Sequence, residues 1–96
     1  MPKFPQSLQA IFWSADLAKL DLKKHQKYII HQVLHYGDID DFLWLKKQYP
    51  LSKIKHVFID QPEPIYSPKS YNFTKNFLLK INKKYLNPDH YVSNLS

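Results

Sequence analysis

The sequence predicts an all-α fold, a compact bundle of about four to five short helices forming one domain over residues 1–96. Three observations predict it. Helix-starting signals recur at Asp21, Asp38, Ser67-Pro68 and Asn87-Pro88. Apolar residues between them fall three and four apart. No Asn-Gly or Asp-Gly pair separates alternating runs, so nothing signals a hairpin. A domain of this length needs large side chains to fill its core, and 16% of the residues are aromatic.

The first segment, Ser7 to Trp13, reads as one helical turn or an apolar strap, with Trp13 placed in the core or facing a partner. Asp21 is a plausible N-cap, because its carboxylate can accept the unpaired N–H groups of a first turn. A helix from Leu22 to Tyr36 follows. Leu22, Ile29, Ile30, Val33 and Leu34 form its apolar face, and Lys23, Lys24, Lys27 and His31 lie off it. Gly37, the one glycine, suits the left-handed position that closes a helix. Asp38 caps a second helix, Ile39 to Tyr49. Phe42, Leu45 and Tyr49 share its buried face, while Trp44 lies roughly opposite. Asp40 and Asp41 at its start and Lys46 and Lys47 at its end complement the helix dipole.

Pro50 ends that helix or opens a third, Leu51 to Phe58, with Leu51, Ile54 and Val57 or Phe58 inward. Prolines 62, 64 and 68 make 60–68 an extended joint within the domain. Ser67-Pro68 then starts a helix expected to reach about Asn82, with Phe73, Phe77, Ile81 and Leu78 as its apolar stripe. Asn87-Pro88 starts a last short turn carrying Tyr91 and Val92.

The net charge is +6, and every basic residue is a lysine. The lysines form two blocks without acids: Lys23, Lys24 and Lys27 in one, and Lys69, Lys75, Lys80, Lys83 and Lys84 in the other. Such blocks attract polyanions or an acidic protein surface. The lack of arginine weakens sequence-specific reading of DNA, since arginine is the usual partner of guanine edges; an AT-rich genome, which codes lysine in preference, explains it equally. There is no cysteine, which removes disulfides and thiolate metal sites. The N-terminus has no apolar signal region, and no apolar run approaches the ~20 residues of a membrane span, so a cytoplasmic bacterial protein without a membrane is expected.

Few residues suggest chemistry. His31 and His35 stand four apart, but Gln32 occupies the place where a zinc peptidase motif needs glutamate, and no metal or other cofactor is expected. Asp38, Asp40 and Asp41 are accounted for by capping. One glycine cannot build a nucleophile elbow or a phosphate loop, and no set of nucleophile, base and orienting group is present. The expected function is therefore binding rather than catalysis. For nucleic acid the candidate contacts are Lys69, Ser70, Asn72, Lys75, Asn76, Lys80, Lys83 and Lys84. For a protein partner they are Trp13, Lys23, Lys24, Lys27 and Trp44.

Phe12-Trp13, the run Leu20 to Asp38, Leu43-Trp44-Leu45 and Ser67 to Phe73 together resemble a small bacterial family whose members lie beside genes for AbiEii-like nucleotidyltransferase toxins. Tyr28-Ile-Ile to Tyr36-Gly37 is the most specific part, and none of these motifs is catalytic. The resemblance implies an antitoxin or accessory protein that binds and neutralises the toxin. The alternative is a helical DNA- or RNA-binding protein using the lysine-rich helix. The lack of arginine and of a tight helix-turn-helix turns the expectation toward protein binding.

Overall fold

The computed structural model of the chain describes residues 6–13, 16–81 and 86–92. These form an all-α bundle of four helices: α1 (Gln26–Tyr36), α2 (Ile39–Gln48), α3 (Leu51–Asp60) and α4 (Pro68–Phe73), the last running on into a π-turn, Thr74–Leu78. Short 3₁₀ turns lie at Gln6–Ala10, Leu17–Lys19 and Pro88–His90. Among the described residues the only β-type pairing is a single parallel bridge, Tyr66 to Val92. None of the helices described is long and apolar enough to cross a membrane.

α1 is the central element and packs against α2, α3 and α4. That position decides its burial. All six residues from Ile29 to Leu34 are buried, His31 and Gln32 included, so His31 does not lie off the packed face as its polarity suggests. α1 also begins later than expected. Asp21 does accept the N–H groups of Lys23 and Lys24, at 2.8 and 2.9 Å, but the turn it caps precedes the α-helix, which opens at Gln26. His25 Nδ1 accepts the Asp21 N–H at 2.8 Å and fastens this turn from the other side.

Gly37 is not left-handed; its φ of −78° and ψ of 162° are extended. Glycine serves there because the chain turns back against itself. A Cβ at this position would lie 2.6 Å from the Val33 carbonyl oxygen and 2.9 Å from Asp41 Cβ. Asp38 caps α2 as expected, in a reciprocal box: its Oδ1 accepts the Asp41 N–H at 3.0 Å, and Asp41 Oδ2 accepts the Asp38 N–H at 3.0 Å. Phe42, Leu45 and Tyr49 are buried, and the Tyr49 hydroxyl donates to the Leu22 carbonyl at 2.5 Å.

α3 runs two residues past Phe58, with Ile54, Val57 and Phe58 inside, whereas Leu51, expected inward, is exposed on the first turn. Its end is closed by side chains from elsewhere. The Phe58 carbonyl would normally meet the N–H four residues on, but Pro62 has none; the buried Tyr91 hydroxyl donates to it instead, at 2.7 Å. The Leu34 carbonyl likewise takes the Thr74 hydroxyl, at 3.1 Å, because the Asp38 N–H is committed to its cap.

The fourth helix departs most from expectation. It ends before residue 82: the Leu79 N–H reaches back five residues to Thr74 and the Ile81 N–H six residues to Lys75, each at 2.9 Å, and Lys80 takes a φ of 50°. The stripe it buries is Tyr71, Thr74, Lys75 and Leu79. Phe73 and Phe77, expected inside, are outside, 44% and 69% exposed. Threonine and lysine can occupy the inner stripe because each is provided for. Thr74 bonds to Leu34, and the Lys75 ammonium lies over the Tyr71 ring, 4.5 Å from its centre.

Around the end of α3 the core is aromatic. Phe58 stacks on Tyr91 with ring centres 4.6 Å apart, Tyr91 on Tyr71 at 5.1 Å, and Tyr66 meets Phe58 edge-on at 5.7 Å. At the other end Leu8, Ile11 and Phe12 close the core, and Gln32 Nε2 holds their segment by donating to the Ile11 carbonyl at 2.8 Å.

Candidate binding face

The α4 face is built from its cap outward. The Ser67 hydroxyl accepts the Ser70 N–H at 3.1 Å, and the Ser70 hydroxyl accepts the Ser67 N–H at 3.0 Å. Ser70 also bonds His35 Nδ1 at 2.9 Å, tying the start of α4 to α1. These bonds orient α4 so that Lys69, Asn72, Phe73, Asn76 and Phe77 line an open groove of about 520 Å³. The two phenylalanine rings, one turn apart, stack on each other with centres 5.6 Å apart.

The face thus differs from the row of polyanion contacts that the sequence suggested. Lys69, Asn72, Asn76 and Lys80 are exposed as expected. Ser70 is half-buried with its hydroxyl engaged in the cap. Lys75 is buried, 5% exposed, with its ammonium over the Tyr71 ring and not on the open face. Lys83 and Lys84 lie outside the described residues. Phe73 and Phe77 take their place, two residues that apolar periodicity assigned to the core. The one signal for the true orientation is the competing stripe Tyr71, Thr74, Lys75, Leu79 at helical spacing, disguised by its polar members Thr74 and Lys75.

The second set of candidates is only partly gathered. Lys24 and Lys27 line a hollow of about 400 Å³ with His25, Tyr28, His31 and Glu63, and Lys27 Nζ bonds the Glu63 carboxylate at 2.8 Å. Lys23 is exposed on the preceding turn. Trp13 is 69% exposed, which overturns its placement in the core; it follows Phe12, whose ring packs 5.8 Å from that of Tyr28. Trp44 is half-buried and packs against the core instead of standing free.

The histidines do not converge on a shared ligand. The Gln61 carbonyl can only accept, so His31 Nε2 carries the proton and donates to it at 2.7 Å; Nδ1 then accepts from the Tyr66 hydroxyl, also at 2.7 Å. Burial pushes the His31 ring below its ordinary pKa, against smaller raising influences from the Gln61 carbonyl and Glu63. Burial lowers His35 as well. Among the described residues no three His, Asp or Glu side chains gather where a metal ion could sit.

The model of a family of unknown function, DUF6922, matches residues 8–58, just over half of the 96. No curated protein and no solved structure matches the chain.

Proposed function

The chain belongs to DUF6922, a family of unknown function, and we propose that it is an interaction module that binds and neutralises a nucleotidyltransferase-type toxin in the manner of an antitoxin. The observation that carries the reading is the pair Phe73 and Phe77. Two stacked rings held in water on a basic element expose apolar area that folding alone leaves unused, as partner-binding surfaces do. The neutralising step is the masking of an acidic cleft: nucleotidyltransferases hold metal-binding carboxylates, and the exposed lysines Lys23, Lys24, Lys69 and Lys80 would be drawn to them. The partner's class comes from the resemblance described above.

The test is co-expression of the tagged chain with the product of the adjacent gene. A complex is expected that survives purification, lowers the toxin's activity, and is lost in a Phe73→Ser/Phe77→Ser variant that keeps its melting temperature. Absence of any complex at micromolar concentration removes the proposal.

A second reading, single-stranded nucleic-acid binding, draws on the same rings, since stacked aromatics beside Lys69, Asn72 and Asn76 suit base stacking. Its signature is affinity that falls steeply with salt. A curve that stays flat between low and moderate salt excludes it.

A further inference from the structure

Resting on the protein-binding reading, we infer that the Phe73–Phe77 groove receives an amphipathic helix of the partner whose apolar stripe is flanked by acidic residues. Geometry selects a helix. The surface is itself a helix, whose backbone groups are bonded within it, so it offers no strand edge for an extended peptide to pair with. What it offers is a ridge of two rings one turn apart with an open trough beside it, the shape that accepts side chains at positions i, i+3 and i+4 of an opposing helix.

Charge selects the flanks. Among the described residues none lining the groove is acidic, and residues 67–81 contain no Asp or Glu while Lys69, Lys75 and Lys80 are present. The same fact disfavours a second copy of this chain. A two-fold contact would set Lys69 of each copy against an identical face with nothing to neutralise it. Nucleic acid is disfavoured on a different ground. With Lys75 buried and Ser70 held in its cap, Lys69 is the only cation lining the groove among the described residues, and a strand needs a continuous positive track.

The probe is a fluorescent helical peptide of about five turns, with leucines at three- and four-residue spacing and glutamates on both flanks. Its controls are the same peptide with lysine in place of glutamate, and an oligothymidine of similar length. Binding is read by anisotropy with the full chain. The glutamate peptide is expected to bind at least about tenfold more tightly than the lysine peptide. Phe73→Ser and Phe77→Ser should each weaken it about tenfold without moving the melting temperature, and Lys69→Glu should reduce its preference. Equal binding of the two peptides, indifference to both serine variants, or displacement by oligothymidine would each overturn the inference. Failure here and failure of the antitoxin reading are separable. A toxin complex that persists in the double serine variant removes the groove assignment and leaves the antitoxin reading standing. Peptide binding without a toxin complex does the reverse.

Discussion

Replacing Tyr71 with phenylalanine removes a single oxygen atom, and the surroundings of that atom make the outcome unusual. Tyr71 is 3% exposed, and its hydroxyl is buried with no hydrogen-bond partner among the described residues. Folding therefore strips water from the hydroxyl and returns nothing, a penalty of about 1–3 kcal/mol for a buried unsatisfied group. Phenylalanine keeps the ring against Tyr91 and under the Lys75 ammonium, so only the penalty is lifted. The variant should gain about 1 kcal/mol, or about 4–8 °C in melting temperature for a domain of this size. Tyr91→Phe supplies the opposite case nearby. Its hydroxyl is the donor that closes the Phe58 carbonyl in place of the missing proline N–H, and its loss should cost about 1–3 kcal/mol. Urea unfolding followed by circular dichroism reads both, with unchanged slopes confirming that the same surface is exposed. A Tyr71→Phe protein no more stable than the original would show that the hydroxyl has a partner and would refute the argument.

Three further outcomes follow from the structure. Lys80→Gly should stabilise by about 1 kcal/mol, because Lys80 holds a left-handed φ of 50° that costs glycine nothing; thermal melts check it. Gly37→Ala should lose about 1–2 kcal/mol by chemical denaturation despite an extended φ that alanine tolerates, since the added methyl meets the Val33 carbonyl at 2.6 Å. Stability should fall as pH drops below about 6.5, the ordinary histidine value. There the unfolded chain takes up a proton that the folded state, with His31 lowered by burial, refuses. The loss approaches about 1.4 kcal/mol per pH unit for one such group, continues down to the folded pKa, and should shrink in His31→Gln.

The caps were the most legible part of the fold. Asp38, Ser67-Pro68 and Asn87-Pro88 start their elements where local chemistry says they should, because a cap is satisfied by residues two or three positions away. The apolar face of α2, and that of α3 apart from the exposed Leu51 on its first turn, were legible for a similar reason: each meets the bundle on one side. α1 was not, since a helix surrounded by three others buries its polar residues too, and the partners of His31 lie 30 and 35 residues along the chain. The orientation of α4 was hidden by two competing stripes. The choice between them rests on the Leu34 carbonyl and the Tyr71 ring, neither of which is a local signal. Of the candidate contacts on α4, the exposure of Lys69, Asn72, Asn76 and Lys80 was accordingly legible, and the burial of Lys75 was not.

The bond between Tyr91 and Phe58 bears on how the chain can be divided. The family match ends at residue 58, yet a polypeptide cut there would forfeit Gln61, Tyr66, Thr74 and Tyr91 together. His31 would then have both ring nitrogens stranded, and the carbonyls of Leu34 and Phe58 would lose their donors. The matched portion is thus not modular. Chimeras between relatives should transplant it only with the aromatic C-terminal half that completes it.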